Sequence, residues 1–106
     1  MALAEKLVAG PSGDFPEGKI IAKRIAGKDV ILIRRQGVVQ CYVDECTHQP
    51  VKLSEFGEVI GGHLVCHAHG GTFDLDNKGK VICDPPYDAL TGFICDEVSG
   101  QVSVFI

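Results

Sequence analysis

Four residues near the middle of the chain have types and spacings suited to metal chemistry. Cys46 and His48 flank Thr47, and Cys66 and His69 flank His67 and Ala68. The pattern is C-x-H, 17 intervening residues, then C-x-x-H. Each half presents one thiolate and one imidazole from a tight loop. Four such ligands suffice to close two tetrahedral iron sites bridged by two sulfides. The same atoms suit a single zinc ion in a Cys₂His₂ tetrahedron. Zinc sites usually present C-x-x-C or H-x₃₋₅-H pairs, and C-x-H is tight for that geometry. An isolated Cys or His is ordinarily packing or surface, but two pairs at short spacing are a stronger signal. On ligand types alone, iron–sulfur and zinc both remain open.

The elements that must position these loops are short and β-rich. Lys19 to Arg24, Asp29 to Arg34 and Val38 to Val43 read as three strands, separated by turns at Gly27-Lys28 and Gln36-Gly37. A second hairpin follows near the C-terminus: Gly92 to Glu97, a turn at Ser99-Gly100, then Gln101 to Ile106 with Val102, Val104 and Ile106 alternating. No sustained 3.6-residue periodicity is present, and the best helical candidate is a single turn within Val51 to Glu55. The expected fold class is all-β, with antiparallel strands. Between the hairpins, residues 44–87 hold all four histidines, three of the five cysteines, and the Gly61-Gly62, Gly70-Gly71 and Pro85-Pro86 pairs. The expected organisation is one domain over 1–106: a β scaffold (1–43 and 88–106) carrying a loop-rich insertion (about 44–87).

Composition narrows the function classes. With 106 residues the chain fits one domain. An apolar fraction of 45% suits a folded globule. The net charge is −4 and no basic cluster exceeds Arg34-Arg35, so a nucleic-acid partner is not expected. An acidic surface suits a partner with a basic docking patch, although mild acidity is also ordinary. Residues 1–10 have no basic segment leading into a long apolar run, and the strongest apolar run, Val30 to Ile33, is far below the ~20 residues of a membrane helix. A cytoplasmic protein without a membrane partner is therefore expected. Five cysteines, an odd number, argue against a closed disulfide framework. In a reducing compartment, cysteines near histidines more often bind metal.

The segments Cys46-Thr47-His48 and Cys66-His67-Ala68-His69-Gly70-Gly71-Thr72-Phe73-Asp74 resemble the paired ligand boxes of the Rieske family. Gly18, the strands before Cys46, Leu53-Ser54-Glu55 and Pro85-Pro86 also sit where Rieske ferredoxins have counterparts, so the likeness covers nearly the whole chain. The resemblance implies stacked antiparallel sheets and one [2Fe–2S] cluster. It further implies that Cys46 and Cys66 hold one iron while His48 and His69 hold the other. With two thiolates and two neutral imidazoles, the oxidised core is formally neutral and reduction takes it to −1. Four thiolates would make the same step run from −2 to −3, so histidine ligation raises the potential.

Departures from the pattern refine this expectation. High-potential respiratory members carry an additional disulfide between the ligand loops; Val51 and Ala68 stand at those positions here. Those members also place a Ser and a Tyr hydroxyl near sulfur just after the second box, where this chain has Gly71 and Phe73. Fewer donors to sulfur disfavour the reduced state, which implies a potential near the low end of the Rieske range, roughly −150 mV. The resemblance is thus to soluble ferredoxins of oxygenase systems. It implies a one-electron carrier, not an enzyme in itself, loaded by a flavin-dependent reductase and discharging to a dioxygenase or monooxygenase component. The alternatives are a small Rieske subunit of a nitrite-reductase-like complex and a structural zinc module.

Supporting and misleading residues complete the expectations. Gly70 and Gly71 would let backbone approach the cluster, and Pro85-Pro86 would shield it. His67 sits beside two ligands but is not expected to be one itself, and His63 is expected to lead into a Leu64-Val65 strand. Cys41 and Cys95 read as buried small hydrophobes, and Cys83 as partly exposed. Asp44 and Glu45, just before Cys46, read as solvated charges.

Overall fold

Val30-Ile31-Leu32-Ile33 is a run of four apolar residues bounded by turn signals, the pattern of a strand buried on both faces. In the computed structural model, which describes residues 5–45, 51–68, 71–77, 79–83 and 90–106, all four side chains are fully buried. They belong to β3 (Lys28–Arg35), and its two faces look into two different hydrophobic cores. Val30 and Leu32 face one; Ile31 and Ile33 face the other.

The first core lies within a six-stranded antiparallel sheet of order β1-β10-β9-β4-β3-β2. Its strands are β1 (Lys6–Pro11), β2 (Ile20–Ile25), β3, β4 (Val38–Val43), β9 (Gly92–Val98) and β10 (Gln101–Phe105). Side chains from all six strands meet in this core: Leu7, Ala9, Ile21, Ile25, Val30, Leu32, Val39, Cys41, Phe93, Cys95, Val102 and Val104. A flat sheet cannot send six strands to one cluster, so the sheet rolls into a barrel-like scaffold, closed over by Phe15.

Three two-residue turns shape that scaffold. Ala26-Gly27, Gln36-Gly37 and Ser99-Gly100 all have positive φ, between 53° and 81°. Two successive left-handed residues make a type I′ turn, whose twist matches the flanking strands. The expected hairpins are therefore present, with one correction. The first turn is Ala26-Gly27, not Gly27-Lys28, because the glycine takes the second central position, as in the other two turns. Accordingly β2 begins at Ile20 and ends at Ile25, one residue later than expected.

Residues 44–87, expected to be loop-rich, carry a second antiparallel sheet of order β5-β6-β7-β8. The strands are only four residues each: β5 (Gly57–Ile60), β6 (His63–Cys66), β7 (Gly71–Asp74) and β8 (Lys80–Cys83). A one-turn helix, α1 (Leu53–Phe56), precedes them at the place expected for a helical turn. Leu53, Leu64, Cys66, Phe73 and Leu75 pack this sheet onto Ile31, Ile33 and Tyr42 of β3 and β4. β1, which has weak sequence character, is held by pairing along β10. No helix among the described residues is long and apolar enough to cross a membrane.

Candidate metal centre

The described residues that flank the two candidate ligand boxes lie at strand ends, one in each sheet. β4 runs out of the barrel at Val43, and the chain enters the first box directly after Asp44 and Glu45. Val43 N–H donates to Thr91 O (2.9 Å) and Asp44 N–H to Asp29 O (3.0 Å), so the entry to this loop is fixed to the barrel. Cys46 and His48 lie outside the described residues. The chain reappears at Val51, which packs against the core between the sheets.

The second box straddles the hairpin of β6 and β7. Cys66 is the last residue of β6 and pairs with Gly57 on one side and Gly71 on the other. The register leaves residues 67–70 as the connection, which carries His69. His69 and Gly70 lie outside the described residues, as do Pro85 and Pro86. Cys66 is fully buried among Leu53, Leu64 and Phe73. Its thiol is thus a soft donor screened from bulk water, which suits a metal–sulfur bond. Gly57 opposite it has no room for a side chain: a Cβ there would lie 2.5 Å from Leu53 O and 3.2 Å from Leu64 Cδ1.

The His67 side chain is engaged by the neighbouring strand β5. Its Nε2 lies 2.8 Å from Glu58 Oε1 on the neighbouring strand, and its backbone N–H donates to Phe56 O (2.8 Å). It is a surface residue. Phe73 fills the core with a ring that carries no hydroxyl, and Gly71 is buried beside Cys66. The positions that carry Ser and Tyr donors in high-potential relatives thus offer none here. His63 begins β6, as expected.

Asp44 departs from expectation. It is only 5% exposed, and its carboxylate accepts Ser54 N–H at 2.8 Å and Ser54 Oγ–H at 2.6 Å. Its burial follows from contacts ten residues along the chain, and neither acidic type nor position in the sequence signals it. Cys41 is buried as expected, while Cys95 is half-buried. A hydrogen bond to Cys95 and burial push the Cys41 thiol upward. Burial, reinforced by nearby acidic groups, pushes the Tyr42 phenol up to about 12, so it stays protonated beneath the second sheet. The Cys83 side chain lies outside what the structure describes.

Comparison with known proteins settles the family. The model of the Rieske [2Fe-2S] domain matches residues 5–94. The chain belongs to the Rieske [2Fe–2S] family. Its cofactor is accordingly one [2Fe–2S] cluster, and the zinc alternative falls away. Over 72 residues the chain is 32% identical to the ferredoxin component of the naphthalene 1,2-dioxygenase/salicylate 5-hydroxylase systems of Ralstonia sp, covering 68% of this chain and 67% of that protein. It is 36% identical over 77 residues to chloroplastic protein TIC 55 of Pisum sativum, covering 72% of this chain but only 14% of that protein. Among solved structures, a chain from the complex of reduced oxygenase and oxidised ferredoxin of carbazole 1,9a-dioxygenase superposes with a TM-score of 0.83 at 27% identity. That match covers 94% of this chain and 92% of the other. The Rieske fold of antiparallel sheets is the architecture described above.

Proposed function

We propose that this Rieske protein is a one-electron carrier of an oxygenase system, taking electrons from a flavin-dependent reductase and delivering them to a terminal oxygenase. The observation that carries this reading is the scale of the likeness. The chain spans two thirds of a stand-alone ferredoxin component, but a small fraction of the larger relative. In the proposed site, Cys46 and Cys66 hold one iron and His48 and His69 the other, all from the 44–87 segment, with 1–43 and 88–106 as scaffold. When bound there, the [2Fe–2S] cluster supplies a centre that gains and loses a single electron.

The chain's own residues do the rest. The barrel fixes the entry to the first box through Thr91 and Asp29, and the β6–β7 register fixes Cys66. Buried Cys66 and Phe73 keep water from the sulfur side. Exposed His67 and Ala68, and the 42% exposed Phe56, lie around the second box, where a partner can approach closely. With all four ligand positions filled from the protein, no position is left for substrate, so the chain carries electrons without catalysing a reaction itself. Reducing cytoplasm suits Cys41 and Cys95, which stand as thiols in the barrel.

The deciding experiment is an EPR spectrum of the dithionite-reduced protein together with metal and sulfide analysis. The expected result is two irons and two labile sulfides per chain, with a mixed-valence signal showing nitrogen coupling from two imidazoles. A signal without nitrogen coupling overturns the ligand assignment. Failure of the reduced protein to pass electrons to any oxygenase component overturns the carrier role.

A further inference from the structure

The helix α1 is a strut between the two ligand loops. Its second residue, Ser54, is bound through backbone N–H and hydroxyl to Asp44, two residues before Cys46. Its last residue, Phe56, accepts the N–H of His67, one residue after Cys66. Leu53 anchors the strut in the core between the sheets. Lys52, at its N-cap, offers no side-chain cap, and Asp44 supplies that cap from ten residues away. Asp44 and Ser54, on either side of residues 46–50, are therefore tied to each other. Among the described residues, the Asp44 carboxylate accepts from two neutral donors, both of Ser54, and has no cationic partner.

We propose that Asp44 and Ser54 form a positioning latch that sets the approach of the first ligand loop to the second, and that the held charge of Asp44 lowers the potential of the centre. This rests on the ligand assignment above. Two roles follow from one carboxylate and can be separated. Asparagine at position 44 keeps an oxygen for Ser54 N–H and an amide for Ser54 Oγ, but removes the charge. Alanine removes the charge and both contacts. Ser54→Ala removes the hydroxyl arm and keeps the charge.

The experiment measures midpoint potential, reduced-state EPR line shape and the rate of iron release on the intact holoprotein. Asp44→Asn is expected to shift the one-electron equilibrium toward reduction about tenfold, ~59 mV, with the wild-type line shape. Asp44→Ala is expected to change the line shape and speed iron release, with Ser54→Ala between it and wild type. Arg34→Gln, far along the barrel, is the comparison: it lowers thermal stability while potential and line shape stay put. An unmoved potential in Asp44→Asn overturns the charge role. Wild-type line shape in Asp44→Ala, with iron release no faster than in Arg34→Gln, overturns the latch. Should Asp44→Ala fail to fold, Ser54→Ala with wild-type line shape and release rate overturns the latch instead. If the wild-type protein itself lacks the Rieske signal, the ligand assignment has failed and the latch falls with it. A sound wild-type signal with unmoved variants sinks the latch alone.

Discussion

The barrel and the second sheet are both antiparallel, but they are held by different physics. Barrel strands run from five to eight residues and are joined in three places by two-residue type I′ turns. Their hydrophobic alternation is local, and each hairpin specifies its own register. Strands of the second sheet have four residues, too few to stand alone. That sheet exists because it docks on β3 and β4, and because long-range hydrogen bonds pin it: Ser54 to Asp44, His67 to Phe56, Leu75 to Gly62. The scaffold is thus locally encoded, while the part that carries the chemistry is assembled on it.

That contrast is broken most directly by cavities on the two sides of β3. Leu32→Ala opens the barrel core and Phe73→Ala opens the core between the sheets, both at fully buried positions. Losses of about 2–5 kcal/mol and 3–5 kcal/mol respectively are expected from side-chain size. The consequences should differ in kind. Leu32→Ala should lower the thermal midpoint with the EPR signal of the folded protein unchanged. Phe73→Ala should disturb the signal, since its ring packs with Cys66. Equal effects on the signal would show that the two cores act as one.

Gly57→Ala sharpens the comparison within the second sheet. The added methyl would meet Leu53 O at 2.5 Å, so α1 or β5 has to move. A cost of about 1–3 kcal/mol is expected for such overpacking. Iron release should speed, because α1 ties the ligand loops together. A thermal midpoint within error of wild type would show that the junction has slack.

How legible the two regions were follows from the same physics. Val30 to Ile33, Val38 to Val43 and the turns at Gln36-Gly37 and Ser99-Gly100 disclosed the hairpins, though not their closure into a barrel, because periodicity and turn chemistry are local properties. Only the first turn slipped by one residue. β1 was not legible: Gly10 and Pro11 interrupt it, its register shifts at Val8/Gly10, and pairing with β10 makes it a strand. β5 and β8 were hidden for the same reason. In the site, the two Cys/His boxes stood out by spacing as metal-ligand candidates, whereas the surface place of His67 and the buried carboxylate of Asp44 did not. Its partner is ten residues away, and nothing in Asp44-Glu45 says which of the two is enclosed.

Acid gives a third test, and it concerns the barrel. Arg34 bridges Glu97 on β9 through Nη2–Oε2 at 2.7 Å and also donates to Phe15 O and Gly37 O. Hydrogen bonds from Arg34 hold the Glu97 carboxyl at about 2, against an ordinary value of 4.5. A folded-state value below the unfolded one means that the unfolded chain binds the proton first. The contribution is therefore complete above pH ~4.5 and is lost as pH falls toward 2. Thermal midpoints of wild type and Glu97→Gln, followed by far-UV circular dichroism, should converge across that window and separate above it. Parallel curves would show that the pair is fully screened by solvent.

The smallest effect is expected at the β9–β10 turn, whose second residue, Gly100, accepts Ser12 N–H at 2.8 Å. Ser99, exposed between β9 and β10, holds φ at 53°, a left-handed conformation that serine adopts at a cost. Asparagine tolerates that region better, and Asn-Gly is the preferred pair for a type I′ turn. Ser99→Asn should therefore raise stability by about 0.5 kcal/mol, with potential and EPR signal unmoved. The direction matters more than the size, because a gain from one exposed turn residue is possible only where local backbone preference contributes to the fold. A destabilised Ser99→Asn protein would mean that this hairpin is set by the barrel core, as the strands of the second sheet are set by theirs.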